Sequence, residues 1–121
     1  MDEKVYKVQA NLVRETATRF LSEVTKATPV DTGRARANWN MSVGVIDTRS
    51  TENIAAPDAE ATANERLEGY DGNKAVYISN HLPYIQRLNE GHSKQAPANF
   101  VEKALMLAKR NAEAAAKRGA Q

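Results

Sequence analysis

The stretch 28-TPVDTGRARANW-39 places a proline, an Asp-Thr-Gly turn, two arginines and the only tryptophan of the chain in twelve positions. Two readings compete for it: a chemical site that grips a phosphate or sets an acid beside bases, or a joint that ends one element and aims the next. A phosphate loop needs a glycine-rich run between a strand and a helix, with a Lys-Ser or Lys-Thr step. Asp31-Thr32-Gly33-Arg34 offers one glycine after a helical pattern. The joint accounts for every residue. Pro29 disfavours helical geometry at Thr28, Asp31 or Thr32 caps the next turn, and Gly33 permits a tight backbone. Asp31 can pair with Arg34 three positions on, and Trp39 anchors the first strand on the core. Arg34 and Arg36, two apart, point different ways if helical, so at most one of them reaches a partner.

Working back from the joint, Val5, Val8, Leu12, Val13, Ala17, Phe20, Leu21 and Val24 recur at spacings of three and four. This is the apolar stripe of an amphipathic helix over residues 3–27, with Glu15 and Arg19 paired at i, i+4. Working forward, 39-WNMSVGVI-46 alternates Trp39, Met41, Val43 and Val45 against Asn40, Ser42 and Gly44, the period of a half-buried strand. Residues 47–73 are polar, alanine-rich and broken by Pro57 and two glycines. The span is longer than an ordinary connection and so reads as a functional or mobile loop, with a short helix around Asp58–Leu67 capped by Asp58. A tight turn at 71-DGN-73 leads into a second strand, 74-KAVYISN-80, which pairs antiparallel with the first and leaves the long loop as their tip.

The remainder reads as one or two helical turns or a third short strand in 82-LPYIQRLNEG-91, a loop, and a last helix from about Ala98. Asn99 is its candidate cap, strong helix formers fill it, and residues 117–121 fray. The expectation is a single α+β domain over 1–121, two long terminal helices packed on a small antiparallel sheet with a long loop between its strands.

Apolar residues make up 41% of the 121 positions but aromatics only 6%, a thin core of the kind that leans on neighbours. There is no cysteine, hence no disulfide and no thiolate metal site. No apolar run is long enough to span a membrane, and the N-terminus lacks a signal-peptide core, which points to a protein made and used in a cytoplasm or built into a particle there. Net charge is +2 but unevenly spread. Residues 51–72 hold six acids against Arg66 alone, and residues 73–121 hold eight bases against three acids. That split suits self-association of unlike faces, and less well a dedicated DNA-binding domain.

Chemistry is hard to find. His81 and His92 each stand alone, without the spacing of a zinc site. Asp58, Glu60, Glu65 and Glu68 lack the glycine-turn signature of a hard-cation loop and read as a solvated face. Lys103, Lys109, Arg110, Lys117 and Arg118 form a basic side on the last helix, without interleaved aromatics for base stacking. No cofactor or metal is expected.

Two segments together resemble a known family. The stretch 28-TPVDTGRARANW-39 is similar to the TPVDTG-x-x-R-x-x-W signature that follows the first helix in phage tail-completion and neck proteins, the small head–tail joining proteins of tailed bacteriophages. The stretch 76-VYISNHLPYIQRLNEGHSKQAPANFVEKAL-105 resembles that family's block of Tyr, SN, PY, a leucine-glycine turn, SKQAP and a helix. The chain departs at Leu88-Asn89-Glu90-Gly91, where Leu-Glu-Tyr-Gly is expected, and at Asn99-Phe100 in place of Gly-Met.

The resemblance implies a non-enzymatic virion protein, assembled in the bacterial host cytoplasm into a ring, typically sixfold, in the neck between the head's connector and the tail tube. Its partners would be itself, the connector or head-completion proteins, and tail-tube or tail-terminator proteins, with DNA passing through unbound. The subunit and partner contacts are expected from Arg34 or Arg36, from Asp58, Glu60, Glu65 and Glu68, and from Tyr84, Arg87, Glu90, His92 and Lys94. The alternatives are a small nucleic-acid-binding protein using its basic C-terminal helix, and an antitoxin-like module paired with one unrelated protein.

Overall fold

The computed structural model describes residues 3–29, 33–91 and 98–119. Along them run α1 (Glu3–Ala27), α2 (Arg34–Ala37), β1 (Asn40–Val43), α3 (Ala59–Arg66), β2 (Val76–Ser79), α4 (Ile85–Asn89) and α5 (Phe100–Gly119). The fold is α+β. α5 packs along α1, and α3 packs on α1 and β1. β1 and β2 pair antiparallel, with Asn40 opposite Ser79 and Val43 opposite Val76.

The helical stripe and its proline stop are realised as α1, which ends at Ala27. Its buried residues feed two apolar clusters. Ala17 and Leu21 meet Met41 of the sheet and Ala63 and Leu67 of the α3 segment, while Val24 meets Phe100 and Ala104 of α5. Trp39 packs against both clusters and joins them. Alternation along the strands turns Met41, Val43, Val76 and Ile78 inward. The opposite, polar face clamps the chain after β1. Asn40 Nδ2 donates to the Arg49 carbonyl at 2.7 Å, Ser79 Oγ to the Asp47 carbonyl at 2.9 Å, and the Asp47 amide to Ser42 Oγ at 3.2 Å.

Three expectations change. The first strand stops at Val43, because Gly44 donates a last ladder bond to Ala75 and takes φ +85°, which turns the chain out of the sheet. Val45 is consequently 77% exposed. The segment after Asp58 is no loose tip: Asp58 accepts from the Ala61 amide at 2.8 Å as expected of a cap, but the helix it starts buries Ala63 and Leu67 in the core. Leu12 and Val13 of the apolar stripe are more than a third exposed, while Ala10 is buried against Gly72 of the turn before β2. α5 is helical through Gly119. The ambiguous 82–91 stretch holds a helix, α4, in place of a third strand.

Candidate functional site

The joint between α1 and the sheet is built by side chains that close the end of the helix. The last carbonyls of a helix have no partner within it. Here Thr28 Oγ1 donates to the Val24 carbonyl at 2.6 Å and accepts the Trp39 indole N–H at 2.9 Å. Arg36 reaches back to donate from Nε to the Thr28 carbonyl and from Nη2 to the Lys26 carbonyl, both at 2.7 Å. A cation there also suits the negative end of the helix dipole. Arg36, expected with Arg34 as a candidate contact for a neighbour's acids, thus spends two of its donors on its own chain.

Arg34 points the other way, as its spacing from Arg36 requires, and its Nε donates to the Thr51 carbonyl at 3.2 Å. Asn38, only 1% exposed, completes that side. Its Nδ2 donates to the carbonyls of Arg34 (2.8 Å) and Thr51 (2.9 Å), and its Oδ1 accepts the Thr51 amide at 2.7 Å. The chain after β1 is thus pinned on the joint, and the Ile54 carbonyl passes so close over Gly33 that a Cβ there would collide with it. Gly33 also sits at φ +76°, a conformation that side chains resist. Pro29 is buried. Asp31 and Thr32, with their expected cap and ion pair, lie outside the described residues.

The second sequence block folds onto the first. Asn80 Nδ2 donates to the Ala35 carbonyl at 2.9 Å, and Ile85 and Leu88 of α4 share with Trp39 the cluster around Val24 and Phe100. Asn89 then clasps α4 to α5. Its carbonyl accepts the Asn99 amide at 2.6 Å, its Oδ1 accepts the Val101 amide at 2.9 Å, and its Nδ2 donates to the Glu102 carboxylate at 3.0 Å. The start of α5 is thus capped by the side chain of Asn89. Asn99, expected in that role, takes φ +64° and offers its carbonyl to the Lys103 amide.

The remaining contact candidates fall in two places. Asp58 is committed to capping α3, whose outer side exposes Glu60 and Glu65, with Glu68 just beyond. Tyr84 is half-buried ahead of α4, Arg87 is exposed on it, and Glu90 accepts from Gln86 at 3.2 Å. His92 and Lys94 lie outside the described residues. Among the described residues no three His, Asp or Glu side chains stand where a metal could be held. No described helix is long and apolar enough to cross a membrane.

Two features escape a reading of the sequence. The first is an open apolar groove of about 480 Å³ between α1, β2 and α5, lined by Leu12, Val13, Phe20, Val76, Ile78 and Leu105, with Lys109 and Glu113 on its rim. The width of the α1 stripe, wrapping round to Leu12 and Val13, is the one signal of it. The second is the bidentate pair of Arg49 with Asp47, at 2.9 and 2.7 Å, reinforced by the Arg49 amide at 3.0 Å. These bonds hold the Asp47 carboxyl far below the usual carboxylate range. Compared with protein-family models, curated proteins and solved structures, the chain matches none.

Proposed function

We propose that this chain is a structural protein of a tailed-bacteriophage particle, forming a homo-oligomeric ring, sixfold by the family resemblance, at the head–tail neck or tail-completion interface through which DNA passes. The observation that carries the reading is the convergence of the two family-like stretches. Residues 28–39 and the block after Val76 meet in one architectural centre at Trp39, Asn80 and Ala35, whose polar groups are used in holding elements together. The apolar groove left open on α1, β2 and α5 supports the same reading, since a thin core completes its burial by joining copies. In this reading the role is architectural, with no cofactor and no catalysis.

The test is mass measurement and negative-stain imaging of the purified chain, alone and with connector and tail proteins, together with peptide mass spectrometry of assembled particles. Rings and virion membership are expected. A strictly monomeric chain absent from particles overturns the proposal. The rival reading draws on Lys103, Lys109, Arg110, Lys117 and Arg118, all exposed on α5. Tight, steeply salt-dependent DNA binding by the monomer at physiological salt would favour it.

A further inference from the structure

The described surface carries seven exposed large apolar residues, and they fall into two separate sets. Leu12, Val13, Met106 and Leu107 lie on α1 and α5, while Val45, Ile46 and Ile54 lie on the segment after β1. Of the first set, Leu12 and Val13 line an open groove; the second belongs to an arm that projects its side chains to solvent, Ile54 being 70% exposed. Within one copy the arm does not fill the groove. The Ile54 carbonyl is fixed over Gly33, beyond the end of α1, and the groove runs beside Leu12 to Phe20, at least roughly 10 Å back along the helix.

The arm is acidic, and the groove, whose lining holds Lys109 and Glu113, lies along a helix that is basic on balance. Asp47 and Arg49 pair with each other, and Glu52, Asp58 and Glu60, all exposed, flank Ile54 along the chain, Asp58 as the cap of α3. α5 exposes Lys103, Lys109, Arg110, Lys117 and Arg118, while Glu102 is engaged by Asn89 and Glu113 is the one acid on the groove's rim.

We infer that the groove between α1, β2 and α5 receives the Glu52–Glu60 arm of a second copy of this chain, with Ile54 seated against Val13 and Leu105 and the arm's acids beside Lys109 and Arg110. The inference rests on the ring reading above and names the contact that would build it. Because groove and arm are different surfaces of one chain, the contact is head-to-tail. Such contacts close into rings or extend as filaments, and do not stop at a twofold dimer.

The chain has no cysteine, so engineered disulfides report the contact without background. Val13→Cys and Ile54→Cys change exposed positions. Mixed in equal amounts at high concentration and oxidised, the two single variants should give a Val13–Ile54 cross-linked dimer, identified by peptide mass spectrometry. The double variant should give a ladder of multimers. Reversing the groove's charge (K109E with R110E), or the arm's (E52K with E60K), should lower the cross-linked yield roughly two- to fivefold, and combining the two should restore it.

Rings seen by imaging without the Val13–Ile54 disulfide overturn this inference and leave the ring reading standing. Predominant symmetric cross-links between two Ile54 positions overturn the head-to-tail arrangement. Chains that neither cross-link nor assemble, and that are absent from particles, overturn both.

Discussion

The indole N–H of Trp39 donates to the Thr28 hydroxyl at 2.9 Å, and that hydroxyl donates onward to the Val24 carbonyl at 2.6 Å. Through this relay the residue that ends α1 also fixes the side chain that joins the two halves of the core. Thr28→Val keeps the shape and removes the acceptor, stranding the indole N–H. A loss of about 1–2 kcal/mol is expected in urea unfolding. Trp39→Phe removes the donor together with part of the ring, and the double variant should lose less than the sum of the two, because both singles break the same bond. Strict additivity would mean that the bond contributes nothing.

Arg36 sits on the same helix end. Arg36→Gln leaves the Lys26 and Thr28 carbonyls without their charged partner, with an expected loss of about 1 kcal/mol in the isolated chain. The informative comparison is with assembly. If unfolding of the dilute chain is unchanged while ring formation fails, Arg36 acts between copies and not on α1.

Two glycines with nearly equal backbone angles separate strain from collision. Gly33 and Gly69 sit at φ +76° and +72°, but a Cβ at Gly69 meets nothing within 4 Å, whereas at Gly33 it meets the Ile54 carbonyl. Gly69→Ala should show the conformational cost alone, about 1 kcal/mol. Gly33→Ala should cost clearly more and should also speed hydrogen exchange at the Thr51 amide, which Asn38 holds. Equal losses at the two sites would mean that the close approach carries no cost of its own.

The Asp47–Arg49 pair predicts a pH dependence with a definite sign. The folded-state pKa of Asp47 lies below its unfolded value, so the unfolded chain binds more protons between the two. The stabilisation is therefore fully present above the ordinary aspartate range and declines as pH falls below about 4. The stability difference between the natural chain and Asp47→Asn, followed by thermal melts from pH 7 to pH 2, should shrink across that interval. Since Arg49 is 75% exposed, added salt should shrink it at neutral pH as well. A difference that grows on acidification would refute the assignment.

Legible in the sequence is whatever repeats or punctuates locally. The three-four spacing before Pro29 marks α1 to its last residue, alternation marks the hairpin and its antiparallel sense, and Asp58 marks the start of α3. Concealed is whatever depends on partners distant along the chain. Arg36 closing a helix eight or more positions back, Asn38 holding Thr51, Asn80 binding the Ala35 carbonyl and Asn89 capping α5 are side-chain-to-backbone bonds with no periodicity to betray them. The groove is concealed for a related reason. A stripe shows that Leu12 and Val13 are apolar but not how far β2 and α5 extend to cover them. Of the contact residues, Arg36 is internally committed. The exposed acids on and beside α3 and the exposed bases of α5 lie on different elements, and neither segment alone shows where it sits relative to the other.

The buried side of α5 is a row of alanines, Ala104, Ala108 and Ala112, with the last two wholly shielded. Alanine loses no rotamer freedom when it is covered, so beyond Phe100 this stretch of α5 is buried at little side-chain entropy cost. The same property makes it brittle. Every substitution other than glycine adds atoms where there is no room, and overpacking of this kind costs about 1–3 kcal/mol. Tolerance to mutation should therefore run against chemical conspicuousness. Exposed side chains such as Lys117 and Arg118 can vary in sequence while the plainest residues of α5 cannot.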